Sequence, residues 1–113
     1  MTELTLGQLV ICPEKQEVTR GGVKITLRRK EYDLLEFLAR NRERVINRLT
    51  ILEYVWNYGA QIATNTLEVH ISALRRKIDK GFERKLLHTF HGLGYMLSDK
   101  EPNNNSKVKN QNV

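Results

Sequence analysis

The side chains best suited to recognise another molecule lie in the stretch NTLEVHISALRRKI, residues 65–78. Its apolar residues recur at i, i+4, i+7 and i+11, which predicts a helix with one core-facing stripe: Leu67, Ile71, Leu74 and Ile78. The opposite side carries small, polar and basic residues: Asn65, Val69, Ser72, Ala73 and Arg76. An amide can pair with adenine and small apolar groups can pack on thymine methyls, so this face suits base reading in a major groove. Isolated apolar residues on an exposed helix face are also common without any function.

The composition favours an anionic partner. The 113 residues fit one domain, and 40% hydrophobic and 28% charged residues are typical of a globular protein. The net charge of +6 and a pI of about 9.7 favour nucleic acid first and an acidic membrane surface second. Residues 99–113 hold three lysines and two carboxylates, a net +1, so +5 belongs to the rest. A basic surface that is merely solvated is the alternative.

Several function classes are disfavoured. A single cysteine, Cys12, excludes an intrachain disulfide and a Cys-rich zinc site. No apolar run approaches the roughly 18 residues of a membrane span, and no signal-peptide pattern opens the chain, so we expect a cytoplasmic protein. No nucleophile is paired with a base, which argues against an enzyme and predicts no cofactor or metal. We interpret Glu31, Asp33 and Glu36 as surface charges.

The periodicity predicts a β-rich start followed by helices. Residues 4–27 contain three or four short antiparallel strands, with a hairpin turn at Gly21-Gly22. Helices are expected over about 28–44, 48–57 and 65–80. A second hairpin is expected over 86–98, and residues 99–113 form a polar tail that we expect to be disordered.

Two helix starts carry capping signals. Asn47 is a suitable N-cap for the second helix, with Thr50 at its N3 position. Asn65 with Glu68 three residues later predicts a capping box at the third. Strands, three helices with a basic last one, and a terminal hairpin form the layout of a winged helix-turn-helix, an α+β fold.

The residues then match a known family. The stretches ILEYVW, NTLEVHISALRRKI and LLHTFHGLGYML resemble the second helix, recognition helix and wing of the OmpR/PhoB family of bacterial response regulators. The resemblance covers roughly residues 4–98, and it rests on the linked patterns V-H-I-x-x-L-R-R-K and G-x-G-Y. It implies a C-terminal winged helix-turn-helix effector domain that binds double-stranded DNA sequence-specifically and regulates transcription within a two-component phosphorelay.

The resemblance also implies roles for individual residues. Recognition helix 65–79 would enter the major groove and wing 88–95 would reach the minor groove. The implied base-facing residues are Asn65, Thr66, Val69, Ala73 and His91. The implied phosphate contacts are Arg48, Trp56, His70, Arg75, Arg76, Lys77, Thr89 and Tyr95. Core packing is an equal alternative for Trp56, and a solvated last helical turn is the alternative for the three adjacent basic residues.

The expected partners follow from the family. Such domains bind direct-repeat sites as tandem dimers, and loop 57–64 occupies the place of a loop that contacts RNA polymerase. They normally follow a receiver domain controlled by a histidine kinase. These 113 residues leave no room for a receiver, so we expect an excised fragment or a stand-alone effector.

Departures from the family pattern limit what can be transferred. Arg28-Arg29 replace a common Thr-Pro, so the first helix lacks a hydroxyl N-cap and is expected to start differently or to fray. His91 replaces a common wing arginine, and Asn65 and Ala73 stand where arginines are common. We therefore expect a preference for A·T-rich DNA. The competing hypothesis is a winged-helix module that binds an acidic protein.

Overall fold

The computed structural model describes residues 2–57 and 64–100. Within these residues the chain forms four strands, three helices and a two-stranded hairpin, in that order. The strands of the first sheet are β1 (Leu4–Leu6), β2 (Leu9–Cys12), β3 (Glu17–Arg20) and β4 (Val23–Ile25). The remaining elements are α1 (Arg29–Arg40), α2 (Arg48–Trp56), α3 (Thr66–Ile78), β5 (Leu87–Phe90) and β6 (Gly94–Leu97). The predicted winged helix-turn-helix architecture is confirmed.

The first sheet is an antiparallel meander in the order β1-β2-β3-β4. Gly21 and Gly22 join β3 to β4 with φ angles of +60° and +82°, a conformation that glycine adopts without strain. Leu9, Ile11 and Val18 alternate inward, and their burial joins the sheet to the helical core.

The helices bury their apolar stripes, and the stripe of α3 is the one that the periodicity predicted. Leu35 and Leu38 of α1 and Leu67 and Leu74 of α3 are almost fully buried in one cluster. Asn47 caps α2, because its side chain accepts a hydrogen bond from the Thr50 amide at 2.8 Å. These contacts fix α3 against the body of the domain and leave its other side to solvent.

Helix α1 differs from expectation at both ends. It ends at Arg40 and not at residue 44, because Asn41 leaves the helical region and its side chain donates to the Phe37 carbonyl. Its start is supported without a hydroxyl cap, since the Glu31 carboxylate accepts from the Arg28 amide at 2.9 Å. A guanidinium cannot accept a hydrogen bond, so this is the half of a capping box that Arg28 allows.

The interpretation of Glu31 as a surface charge is wrong. Glu31 is buried, and the Lys77 ammonium from α3 lies 2.7 Å from its carboxylate. Burial raises the pKa of Glu31, but the hydrogen bonds from Lys77 and from the Arg28 amide outweigh it and hold the pKa below its ordinary value. The pair therefore ties the last turn of α3 to the first turn of α1.

A second buried pair joins the sheet to the wing, the hairpin β5–β6. Arg20 donates to Asp79 at 2.7 Å and to the Ile78 carbonyl at 2.6 Å, where α3 ends. The Asp79 carboxylate also accepts from the amides of Leu86 and Leu87 at 3.0 and 3.1 Å. One carboxylate thus fixes the distance between the end of α3 and the first wing strand.

Candidate nucleic-acid interface

The outward face of α3 exposes amide, hydroxyl, apolar and cationic side chains together. Asn65, Ser72 and Arg76 are exposed, and Val69 keeps 53% of its surface in contact with solvent. Ala73 and Thr66 are half-buried at the margins of this face. The structure therefore brings together on one helix all four base-facing residues that were predicted there.

The capping box predicted for α3 is wrong. Asn65 precedes the helix, but its side chain makes no cap hydrogen bond, and its backbone (φ −103°, ψ 15°) is not the extended form that capping needs. Glu68 does not reach back to Asn65, because its carboxylate is bound to Arg48. Among the residues that the structure describes, none therefore occupies the Asn65 side-chain amide.

Arg48 and Glu68 form an ion pair across the two helices. Arg48 Nε lies 2.8 Å from Glu68 Oε2, and Nη2 lies 3.3 Å from Oε1. Arg48 Nη2 also donates to the Thr64 carbonyl, just before α3. The hydrogen bond from Arg48 lowers the pKa of Glu68, and the same bond raises that of Arg48. Arg48, which was predicted to contact phosphate, is thus held in place by α3.

His70 and Trp56 meet between α2 and α3. Their rings are 5.0 Å apart at an interplanar angle of 79°, an edge-on contact. His70 Nδ1 lies 2.8 Å from the Thr66 carbonyl, and because a carbonyl oxygen can only accept, Nδ1 carries the proton and donates in this contact. Trp56 is half-buried and packs against the core, so core packing accounts for its ring.

The basic end of α3 contains three different environments. Arg75 donates to the Leu87 carbonyl at 3.2 Å and to the Thr89 hydroxyl, so it joins the helix to the wing. Lys77 is committed to Glu31. Arg76 is exposed and makes no hydrogen bond or ion pair with any residue in the described part of the chain. It is the cation of this group with the greatest freedom to meet a ligand.

The wing tip lies beside the start of α2. Tyr95 pairs with Ile46 through two backbone hydrogen bonds of 2.8 and 3.0 Å, which hold the wing against the loop before α2. His91 and Leu93 are exposed in its turn. A cleft of about 670 Å³ separates the turn from α2, and Tyr95 and Glu68 both line it. Burial, and then the nearby Glu68 charge, raise the pKa of Tyr95.

Two residues with evident access to this surface were missing from the predicted site. Ser72 lies on the outward face between Val69 and Arg76, and its spacing alone was sufficient to include it. Glu68 lines both the wing cleft and the outward face of α3. The capping-box interpretation had assigned Glu68 to a local role, and only the fold reveals its partner Arg48.

Other kinds of site are not evident over residues 2–57 and 64–100. These residues contain no group of three or more His, Cys, Asp or Glu side chains that could hold a metal ion. The helices among them are too short or too polar to cross a membrane. The RNA-polymerase contact predicted for loop 57–64 falls largely on residues 58–63, which lie outside the described part, as do 101–113 of the predicted disordered tail.

Comparison with known proteins gives a consistent family. Residues 22–97 match the family model described as "Transcriptional regulatory protein, C terminal". The chain is 44% identical over 99 residues to the response regulator MprA of Mycobacterium sp. strain KMS, covering 88% of this chain and 43% of that protein. It is 43% identical over 98 residues to the transcriptional regulatory protein TrcR of Mycobacterium tuberculosis, covering 87% and 38%. The chain therefore spans less than half the length of these relatives.

Solved structures agree with the sequence comparison. The DNA-binding domain of Klebsiella pneumoniae RstA, solved in complex with the RstA box, superimposes with a TM-score of 0.78 at 25% identity. The DNA-binding domain of Escherichia coli CpxR gives a TM-score of 0.75 at 27% identity. Each comparison covers 88% of this chain and 100% of the other. The Thermotoga maritima OmpR/PhoB homologue DrrB gives 0.75 at 29% identity, covering 85% and 44%.

Proposed function

This chain belongs to the family of transcriptional-regulator C-terminal domains as an OmpR/PhoB-type DNA-binding effector domain and not an enzyme, and on that premise we propose how it reads DNA. Helix α3 enters the major groove with its outward face toward the bases. The wing follows the same duplex and reaches the adjacent minor groove through His91. The domain acts in this way as the sequence-specific output of a two-component response regulator.

One observation carries this proposal. In the described part of the chain, the side-chain amide of Asn65 and the guanidinium of Arg76 have no hydrogen-bond partner, and exposed Val69 and half-exposed Ala73 lie on the same outward face of α3. Major-groove readout uses an amide for adenine and apolar contacts for thymine methyls, and a nearby cation supplies affinity through phosphate. A surface built for an acidic protein would not need this combination, so the protein-interaction alternative is not favoured.

The other proposed contacts should contribute unequally to the affinity for DNA. Thr66 and Ser72 flank the readout face, and Ser72 is added to the predicted set because it is exposed there. The phosphate contacts are Arg48, Trp56, His70, Arg75, Arg76, Lys77, Thr89 and Tyr95. Because Lys77 is bound to Glu31 and His70 Nδ1 to its own helix, these two contribute less than Arg76.

The proposal is tested by selecting duplexes from random DNA with the full chain. Arg76→Ala should weaken binding to every duplex and reduce the slope of log K against log salt by about 0.9. Asn65→Ala should cost about 1–3 kcal/mol on the selected site and almost nothing on random duplex. Lys24→Ala, an exposed cation in the N-terminal sheet, is the control for net charge.

Specific outcomes would overturn the proposal. Absence of binding to any duplex at low salt contradicts DNA recognition altogether. Equal losses for Asn65→Ala on selected and random duplex contradict base readout at that position. A strictly G·C-rich selected site contradicts the expected A·T preference.

The partners beyond the duplex belong to the proposal as well. A direct-repeat site bound by a tandem dimer, control by a receiver domain and its histidine kinase, and contact of loop 57–64 with RNA polymerase are what the family implies. A cytoplasmic location in a bacterium follows from the same function. Footprinting of the selected site would show the repeat, since two copies must protect two half-sites on one face of the duplex.

A further inference from the structure

The carboxylate of Glu68 is an unexpected group on a surface proposed to bind a polyanion. Its side chain is 46% exposed, and it lines both the outward face of α3 and the wing cleft. It lies one turn from Asn65 on one side and one turn from Ser72 on the other. A negative charge here opposes binding to phosphate, so its presence needs a compensating function.

Glu68 is joined to a cation that faces the same ligand. Both carboxylate oxygens of Glu68 engage Arg48, at 2.8 and 3.3 Å, and Thr64 holds the same guanidinium through its carbonyl. Arg48 Nη1 donates to none of the residues that the structure describes, so two N–H groups remain for a phosphate. The Arg48 guanidinium is oriented in advance, while the Glu68 carboxylate retains unused lone pairs.

We propose that Glu68 is a specificity-determining residue. Its negative charge cancels the attraction of Arg48 for the phosphates of random duplex. The lost affinity is restored only where a base edge offers a hydrogen-bond donor to the Glu68 carboxylate. Its acceptor oxygens repel the acceptor edges of guanine and thymine. They accept from the exocyclic amine of cytosine or adenine. A charged acceptor makes a stronger hydrogen bond than a neutral one, so affinity rises for a duplex with the correct base and falls for one with the wrong base. The inference rests on the proposed function of this surface.

The decisive variant is Glu68→Gln, which removes the charge and keeps the size. Freed from its counter-charge, Arg48 should contribute the full electrostatic effect of one phosphate contact on random duplex, which Glu68 cancels in the wild type. With a slope of about 0.9 per contact, log K at 0.1 M salt rises by about 0.9, or about 8-fold, and the salt dependence steepens by the same 0.9. On the selected duplex the gain should be smaller, because the charge-assisted bond to the base is lost, so discrimination falls several-fold.

Two controls separate this mechanism from net charge and from scaffolding. Glu14→Gln, in the exposed turn between β2 and β3, makes the same change in net charge and should alter neither affinity nor discrimination. In an Arg48→Ala background, Glu68→Gln should lose most of its gain on random duplex, because the effect passes through Arg48. Circular dichroism of each variant establishes that it is folded.

The experiment separates failure of the Glu68 inference from failure of the proposed DNA-binding function. If the wild type binds no duplex, DNA recognition itself fails. If the wild type binds, and Glu68→Gln leaves random-duplex affinity unchanged or lowers it, Glu68 is only a scaffold for Arg48 and the inference is wrong. Equal gains on selected and random duplex would also overturn it, since Glu68 would then read no base.

Discussion

Removing the charge of Asp79 should strongly destabilise the domain. Asp79→Asn leaves the Arg20 guanidinium buried without a counter-charge, and only 2% of that side chain is exposed. It also presents an N–H₂ group where the carboxylate accepts backbone amides from Leu86 and Leu87. Breaking one partner of a buried pair costs about 3–5 kcal/mol. That loss is a large part of the roughly 5–15 kcal/mol that stabilises a domain.

Urea unfolding followed by circular dichroism measures this loss of free energy, and thermal unfolding gives the corresponding fall in Tm. For a domain of this size each kcal/mol lowers Tm by roughly 4–8 °C, so we expect a fall of at least about 12 °C. Asp33→Asn is the matched control: its ion-pair partners among the described residues are exposed cations at 3.4 and 3.7 Å, so stability should change by less than about 1 kcal/mol.

A double variant tests the reasoning further. Arg20→Met removes the buried charge and can keep contact with Phe82, whose ring lies 4.0 Å below the guanidinium carbon. Combined with Asp79→Asn, it should cost less than the sum of the two single changes by at least about 0.5 kcal/mol. Strict additivity, or a loss below about 1 kcal/mol for Asp79→Asn alone, would refute the buried-charge argument.

Three further variants test the supports of the site. Gly94→Ala should cost about 2–6 kcal/mol in urea unfolding, because φ is +148° and a Cβ would overlap the Ile46 carbonyl oxygen; a loss under 1 kcal/mol would contradict that packing. Asn47→Ala should lower stability by about 1 kcal/mol in the same assay by removing the α2 cap, and no change would show the cap to be dispensable. The pKa of Glu31 is held below 4.5, so its stabilisation is present above that value and is lost as pH falls through the folded pKa. Lys77→Met should reduce this loss, because burial then raises the pKa of Glu31 without the Lys77 hydrogen bond to oppose it, and a fall in urea midpoint from neutral to acid pH as large as that of the wild type would refute it.

The elements could be predicted because their signals are local. The α3 stripe of Leu67 and Leu74 repeats every three or four residues, and the glycine pair at 21–22 marks a hairpin. The cap at Asn47 needs only its own helix. Each of these features depends on residues within a few positions, and each appears in the structure as expected.

The pairings at the site could not be predicted because they are not local. Arg48 and Glu68 are 20 residues apart, and Lys77 and Glu31 are 46 apart. A charged residue on a helix reads as a surface charge until another element covers it, which is why the burial of Glu31 was missed. The prediction of a capping box at Asn65 was wrong for the same reason, because Arg48, which is distant in sequence, binds the Glu68 carboxylate.

The cations of the proposed interface divide into two groups with different consequences. Glu68 holds Arg48 and the wing holds Arg75 before any ligand arrives, whereas Arg76 makes no hydrogen bond or ion pair with the residues that the structure describes. A side chain ordered in advance loses less conformational entropy on binding, but it fits phosphates at only one spacing. Arg75 bridges α3 and β5. The phosphate spacing that it fits is therefore set by the distance between the helix and the wing. Arg48 and Arg75 should therefore favour duplexes of a particular shape, while Arg76 should raise the affinity for every duplex.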